Sequence, residues 1–302
     1  MKYKDLSLPK SLSLAEAGTS NLKDFLKHIN LSKDKLKKIE AFLQGAFQSS
    51  RTGSGFDFNE IREYKIGDDL RHISWNTTAK TGALHTKEYF AEKDLYSYFL
   101  VDISNSMFCG NKPEPFVKLL AFLLNTAMGF SERIGGVFFS DEIKHIFPLS
   151  HSHSQTNLMF ESVINVFDTL RTGEKENLNT HTVTNISSAL EFAKRSFSKK
   201  GMIFIISDFV NVANWEKLIF ENSQKQNIYL FQIYDPLDFN LPKNGYITLI
   251  DPETKQRFTV NTDSKVVREN YYTYMLENQK KLKLFLESVK THHLLIEKRD
   301  FV

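Results

Sequence analysis

The sequence predicts an α/β fold: a doubly wound, mainly parallel sheet with helices on both faces, preceded by an N-terminal accessory segment of helix and β-hairpin. Three observations predict it. From Tyr96 onward, short apolar runs alternate with helical stretches. Two of these runs, Met202 to Ser207 and Ile228 to Ile233, are apolar on both faces, as strands covered from both sides must be. The stretch from Pro113 to Ser131 is apolar almost all round, as in a helix sandwiched between other elements.

The elements follow in order. Residues 1 to about 50 are polar and lysine-rich, with helical spacing of Leu36, Ile39, Phe42, Leu43, Ala46 and Phe47. The lysines from Lys33 to Lys38 read as the solvated face of that helix. Arg51 to Lys93 is dense in glycine, charge and aromatics, with strand-like runs such as Ala83 to Phe90. Tyr96 to Val101 then forms a strand ending at Asp102, followed by the Pro113 helix and a strand from Ile134 to Phe139. Helices over Asn157 to Leu170 and Asn185 to Phe197 precede the strand Met202 to Ser207. A helix over Trp215 to Asn222, the strand Ile228 to Ile233, a long amphipathic helix over Val266 to Val289 and a strand from Thr291 to Ile296 complete the pattern. The domain division is therefore 1–50, 51–93 and 94–302.

Composition narrows the class. A chain of 302 residues with 41% hydrophobic content can bury one large core and a smaller unit. A net charge of +3, with both signs interspersed, argues against nucleic acid as a partner. The single cysteine, Cys109, excludes an internal disulfide and a four-cysteine zinc site, and reads as a structural thiol. The charges at Lys2 and Lys4 are not followed by an apolar signal run. Val117 to Phe130 is too short for a transmembrane segment and is broken by Asn125 and Thr126. A cytoplasmic location is the expectation.

Ligands of doubly wound sheets bind at the carboxyl ends of strands, near the point where strand order reverses. Asp102-Ile103-Ser104-Asn105-Ser106 begins at such an end. Alternate residues of that turn can aim the Asp102 carboxylate and the Ser104 and Ser106 hydroxyls at one centre, an all-oxygen set suited to a hard cation. Thr184, before a helix, and Asp208, after a strand, add two more oxygens, although Thr180 and Thr182 compete for the threonine position. The same residues also suit an ordinary turn and helix cap. Histidines offer no competing metal site: His181, His292 and His293 are scattered, and His151 to Ser154 reads as a polar surface loop.

Asp-x-Ser-x-Ser, a later threonine and a later strand-end aspartate resemble the metal-ion-dependent adhesion site (MIDAS) of von Willebrand factor A domains. The resemblance implies one Mg2+ (or Mn2+) ion held by Asp102, Ser104, Ser106, Thr184 and Asp208. In that family the serines and threonine bind directly or through water, and the aspartates often act from behind them. One coordination position is left for a partner's carboxylate.

A second resemblance lies upstream. Arg51-Thr52-Gly53-Ser54-Gly55-Phe56-Asp57-Phe58 leads to a signature containing Arg62, Tyr64, Gly67, Asp68, Asp69, Arg71, Ile73 and Trp75. This resembles the bacterial "domain of unknown function 58" family, with its Gly-x-Gly-x-x-Phe and Arg-x-Tyr-x-x-Gly-Asp-Asp-x-Arg-x-Ile-Asp-Trp runs followed by a von Willebrand factor A-like domain. Ser74 and Lys80 stand where that family usually has aspartate and arginine. The resemblance implies a metal-dependent protein–protein interaction module: a cytoplasmic adaptor beside a MoxR-type AAA+ ATPase, serving the assembly, maturation or remodelling of client proteins.

A metal-dependent hydrolase acting on a phosphate or ester is the alternative, using the same oxygens or the Asp68/Asp69 pair. The oxygen set is poor in carboxylates for that chemistry, and no nucleophile or oxyanion donor accompanies the pair. No catalytic residue is therefore assigned. A salt-bridged turn, with Trp75 packed on the core, is the expected role of the signature. Gly53-Ser54-Gly55 lacks the Gly-Lys-Ser/Thr ending of a phosphate loop.

Overall fold

A computed structural model of the chain describes residues 22–27, 37, 39–41, 43, 44, 52, 53, 57–90, 95–131, 133–151, 153–172, 184–210, 215–250, 256–289 and 291–301. The chain forms two compact units. One is Lys33–Leu95; the other joins the N-terminal helix α1 (Leu22–Lys27) to everything from Tyr96 onward.

In the Lys33–Leu95 unit, β1 (Thr52–Gly53), β2 (Asp57–Glu63), α2 (Trp75–Thr81) and β3 (His85–Phe90) follow in sequence. The strands form an antiparallel sheet in the order β1-β3-β2. Glu63 pairs with His85, and a register shift lies between Phe58 and Glu60. Gly82 ends α2 at φ 74°, the left-handed geometry a helix stop favours, and its N–H bonds back to Thr78 O. Ile39 and Leu43, one helical turn apart, are buried as their spacing predicts; Leu36, Phe42, Ala46 and Phe47 lie outside the described residues. Trp75 departs from expectation. It starts α2 with its side chain 68% exposed rather than packed on a core.

In the larger unit the elements are β4 (Tyr96–Asp102), α3 (Pro113–Phe130), β5 (Arg133–Phe139), β6 (Ile143–Ser150), α4 (His153–Thr172), α5 (Ile186–Ser196) and β7 (Met202–Ser207). They are followed by α6 (Glu216–Ser223), β8 (Asn227–Ile233), β9 (Tyr246–Ile250), β10 (Arg257–Asn261), α7 (Lys265–Ser288) and β11 (His292–Ile296). Six described strands form one sheet in the order β11-β8-β7-β4-β5-β6. All neighbours are parallel except β5 and β6. The doubly wound, mainly parallel expectation holds.

The two faces are read off by alternation. Tyr96, Tyr98 and Leu100 of β4, with Ile203, Ile205, Ile228 and Leu230, share one core with Ile186, Leu190, Ile219, Leu282 and Leu286 from α5, α6 and α7. The intervening Phe99 and Phe204 meet on the other face at 5.0 Å. Helices α1, α3 and α4 pack together there, Phe25 of α1 lying 4.9 Å from Phe160 of α4.

In this unit three strands escaped sequence reading, and one expected helix begins early. Strand β6 is an antiparallel edge whose residues are mostly exposed, so it carries no long apolar run. The β9–β10 hairpin forms a separate two-stranded sheet. Helix α4 begins one turn earlier than expected, so His153 opens a helix instead of lying in a loop; buried Thr156, Met159, Phe160, Val163 and Phe167 carry its period. No described helix is long and apolar enough to cross a membrane.

Close strand approach supplies a test. A Cβ added at Gly136 in β5 would run into the carbonyl oxygen of its β4 partner Phe99. Gly136→Ala is expected to destabilise the protein by about 3 kcal/mol in urea unfolding, whereas Gly129→Ala, with open space around its added Cβ, changes stability by less than about 1 kcal/mol.

Candidate functional site

The chain winds from β4 outward to β5 and β6, then returns to β7 on the opposite side of β4. The carboxyl ends of β4 and β7 thus face the reversal point where open α/β sheets bind ligands. Asp102 ends β4, and Ser207 and Asp208 stand at the end of β7.

Asp102 is fully buried. Its Oδ1 accepts from the Ser104 N–H at 2.9 Å, and its Oδ2 from the Ser207 hydroxyl at 2.6 Å. The first bond curls the chain into a 3₁₀ turn over Asn105–Phe108. That turn brings the Ser104 and Ser106 hydroxyls to 3.0 Å from one another, both buried. Burial, and then the nearby Asp208 charge, push the Asp102 carboxyl up to about 7.

Thr184 is buried at the same edge. The next residue, Asn185, donates its N–H to Ser140 O just beyond β5 and caps α5 through the Ser188 N–H. The Thr184 side chain makes no hydrogen bond to the other four predicted residues among those described. Asp102, Ser104 and Ser106 are therefore joined directly, Asp208 electrostatically, and Thr184 by position. Thr180 and Thr182 lie outside the described residues.

Sequence reading missed the cation already present. Lys112, buried immediately before α3, donates to Asp208 Oδ2 at 2.9 Å and lies 3.0 Å from Asp238 Oδ2. Burial alone would lower the Lys112 pKa, but Asp208 and Asp238 outweigh it and hold the ammonium charged. Burial raises the Asp238 carboxyl against the pull of Lys112. Asp235, also buried, accepts the Asn111 N–H at 2.7 Å and that of Leu237 at 3.0 Å. The available signal was a lysine placed just before a helix-starting proline, with Asp235 and Asp238 just beyond another buried strand.

The donor chemistry fits a hard cation. Octahedral magnesium holds oxygens at about 2.0–2.1 Å, which puts adjacent ligands about 3 Å apart. The Ser104 and Ser106 oxygens already have that separation. Asp102 stands behind them as a hydrogen-bonded carboxylate. Asp208 fits less simply, because Lys112 holds one of its oxygens. Among the described residues no three His, Cys, Asp or Glu side chains gather as a metal cluster; the fit rests on hydroxyls.

The upstream signature has a different geometry. Arg62 grips Asp68 with two hydrogen bonds of 2.8 Å, and the Lys65 N–H adds a third. Arg71 folds onto Asp69, which also accepts the Arg71 N–H. These bonds hold Asp68 at about 2 and keep Asp69 below the usual carboxylate range. Each carboxylate faces its own arginine, so the pair does not converge on one centre. Gly67 turns the chain at φ 107°, and the Tyr64 N–H bonds to Leu84 O. Ser74 is buried with its hydroxyl 3.1 Å from that of Thr77, and Lys80 is exposed. Cys109 is partly exposed and donates its thiol to Asn105 O at 3.2 Å. His293 contacts Gln232 at 3.1 Å, and His292 stacks on Tyr229.

Residues 60–281 match the family described as "Protein of unknown function DUF58". The uncharacterized protein Mb1516 of Mycobacterium bovis is 24% identical over 222 residues, covering 72% of this chain and 67% of its own. Among solved structures, the conserved hypothetical protein BatB of Bacteroides thetaiotaomicron is similar at 13% identity and TM-score 0.41, covering 67% of this chain and 90% of that one. A von Willebrand factor type A protein of Catenulispora acidiphila is similar at 13% identity and TM-score 0.32, covering 49% and 34%.

Two outcomes follow from the buried charges. Asp102 has a folded pKa near 7, above its unfolded value, so the folded state keeps a proton the unfolded chain has released. Metal-free protein should therefore lose stability as pH rises from about 4 to about 7. Asp102→Asn should flatten that slope in urea melts recorded across the window. Lys112→Met, which strands two carboxylates, should cost about 3–5 kcal/mol, and Asp208→Asn in the same chain should recover part of it.

Proposed function

The chain belongs to the DUF58 family, and from that premise we propose that it is a metal-dependent protein–protein interaction module. Its role would be that of a cytoplasmic adaptor working with a MoxR-type AAA+ ATPase in the assembly, maturation or remodelling of other proteins. One observation carries the metal part: two buried hydroxyls stand 3.0 Å apart in front of a fully buried carboxylate. The surrounding charge supports it. Asp208 stands within electrostatic reach of Asp102, and Lys112 is the cation that meets Asp208 and Asp238 beside them.

In this reading Ser104, Ser106 and Thr184 supply neutral oxygens, while Asp102 fixes the serine loop through the Ser104 N–H. Asp208 adds negative charge from β7, and Lys112 restrains it. A bound Mg2+ or Mn2+ ion would offer a partner's carboxylate a coordination position. Neutral hydroxyl donors leave more of the ion's charge for that partner than carboxylates would, which suits capture better than tight storage. The binding role also accords with Asp68 and Asp69, each engaged by an arginine rather than poised for proton transfer.

Calorimetry with Mg2+ and Mn2+ tests the metal part. One ion per chain is expected, with binding lost in Asp102→Ala and reduced in Ser104→Ala. A folded protein that takes up neither ion would overturn it. For the adaptor part, affinity capture in magnesium should recover an AAA+ ATPase that Asp102→Ala loses; an identical set of captured proteins from both would count against it.

A further inference from the structure

A cavity of about 340 Å³ opens between α7 and the carboxyl ends of β7 and β8, and no residue of the serine loop lines it. The rings of Phe209, Trp215, Tyr234 and Tyr274 line it together with Asp208 and Asp238. Its volume lies at the low end of the roughly 300–1,000 Å³ typical of ligand pockets, which suits one long side chain better than a helix or strand. Glu216 and Lys281 also line it, and both are exposed.

The charge is unbalanced. Three acids and one lysine line the cavity, and Lys112, bound to Asp208 and Asp238, still leaves the acids one charge in excess. The two carboxylates differ in access. The Asp208 side chain is 2% exposed, whereas that of Asp238 is 30% exposed and has only the ammonium it shares with Asp208 as an ion-pair partner among the described residues. An excess negative charge among aromatic faces favours a cation that is weakly hydrated and planar.

The backbone supplies an independent sign. Phe209 lies at φ 55°, in the left-handed region that a bulky residue seldom enters. It is held there by its own N–H on Ser207 Oγ at 3.1 Å, by the Val210 N–H on Asp208 Oδ1 at 3.2 Å, and by edge-on contact with Trp215. This strain keeps an aromatic wall on the cavity where glycine would relax the turn, and strain of this kind collects at binding sites.

We propose that this cavity binds an arginine side chain of a partner protein, its guanidinium paired with Asp238 and stacked among Phe209, Trp215, Tyr234 and Tyr274. The exposed polar residues Asn278 and Lys281 of α7 offer hydrogen bonds to the backbone that carries it. The site goes beyond the metal reading and does not depend on it.

The test uses the full chain with Trp75→Phe, which leaves Trp215 as the single tryptophan reporter. Nα-acetyl-arginine amide, titrated in EDTA at constant ionic strength, should change Trp215 fluorescence saturably. Nα-acetyl-citrulline amide, the neutral isostere, should not. Asp238→Asn should weaken the arginine response about tenfold, the worth of one charge-assisted pair. Tyr274→Leu, at a position 60% exposed on α7, should weaken it roughly threefold without changing the melting temperature. Ser106→Ala, which removes a proposed metal oxygen and leaves the Asp102–Ser207–Phe209 hydrogen bonds in place, should leave the response intact, separating this site from the metal. An equal response to citrulline, or full binding by both Asp238→Asn and Tyr274→Leu, overturns the proposal. Agmatine binding at least tenfold tighter than the blocked arginine overturns the protein source in favour of a free amine.

Discussion

A single hydrogen bond across the seam between β4 and β7 governs the working edge of the sheet: the Ser207 hydroxyl donates to Asp102 at 2.6 Å. A fully buried carboxylate needs donors, and Asp102 has them from two directions. The Ser104 N–H fixes the loop that follows β4, and Ser207 fixes the one that follows β7. The same Ser207 oxygen accepts the Phe209 N–H, so the left-handed turn after β7 hangs on the atom that steadies Asp102. The serine loop and the aromatic cavity are thereby mechanically connected, though they present different chemistry.

Lys112 gives this edge its electrostatic character. A lysine this deeply buried remains charged only where carboxylates exceed its desolvation, and Asp208 and Asp238 meet that condition together. The ammonium spans from the end of β7 to the segment after β8, drawing both toward the start of α3. Asp235 serves a neighbouring purpose by capping the Pro236–Asp238 turn and holding Asn111. A Cβ at Gly110 would press on the Asp235 carboxylate, which explains why the chain turns there on glycine, at φ 63°.

Local pattern carried much of this into view. Strands β4, β7 and β8 are buried on both faces, so most of their residues are apolar without alternation, and β4 and β7 end on the polar residues Asp102 and Ser207. Asp102-x-Ser104-x-Ser106 was legible because one short turn contains all three side chains. Strand β6 was not, because an exposed edge strand needs no apolar run. Lys112 left a fainter trace: it stands before a helix-starting proline, but its carboxylate partners lie 96 or more positions away, and local spacing does not name them. Trp75 shows the reverse error, since hydrophobicity suggested a core position and its place at the start of α2 left it in solvent. Asp68 and Asp69 read as adjacent in sequence, yet the Gly67 turn sends them to different arginines.

The long sequence intervals behind this edge bear on how it forms. Ser207 reaches back 105 residues to Asp102, and Asp208 reaches back 96 to Lys112. Closing loops of that length costs entropy before any contact repays it, and parallel pairing of distant strands is slow for the same reason. The serine loop alone is local, and the rest of the constellation exists only once β7 has docked against β4. A chain arrested before that step would have the Asp102 carboxylate without the Ser207 bond, so competence at this edge arrives together with completion of the sheet.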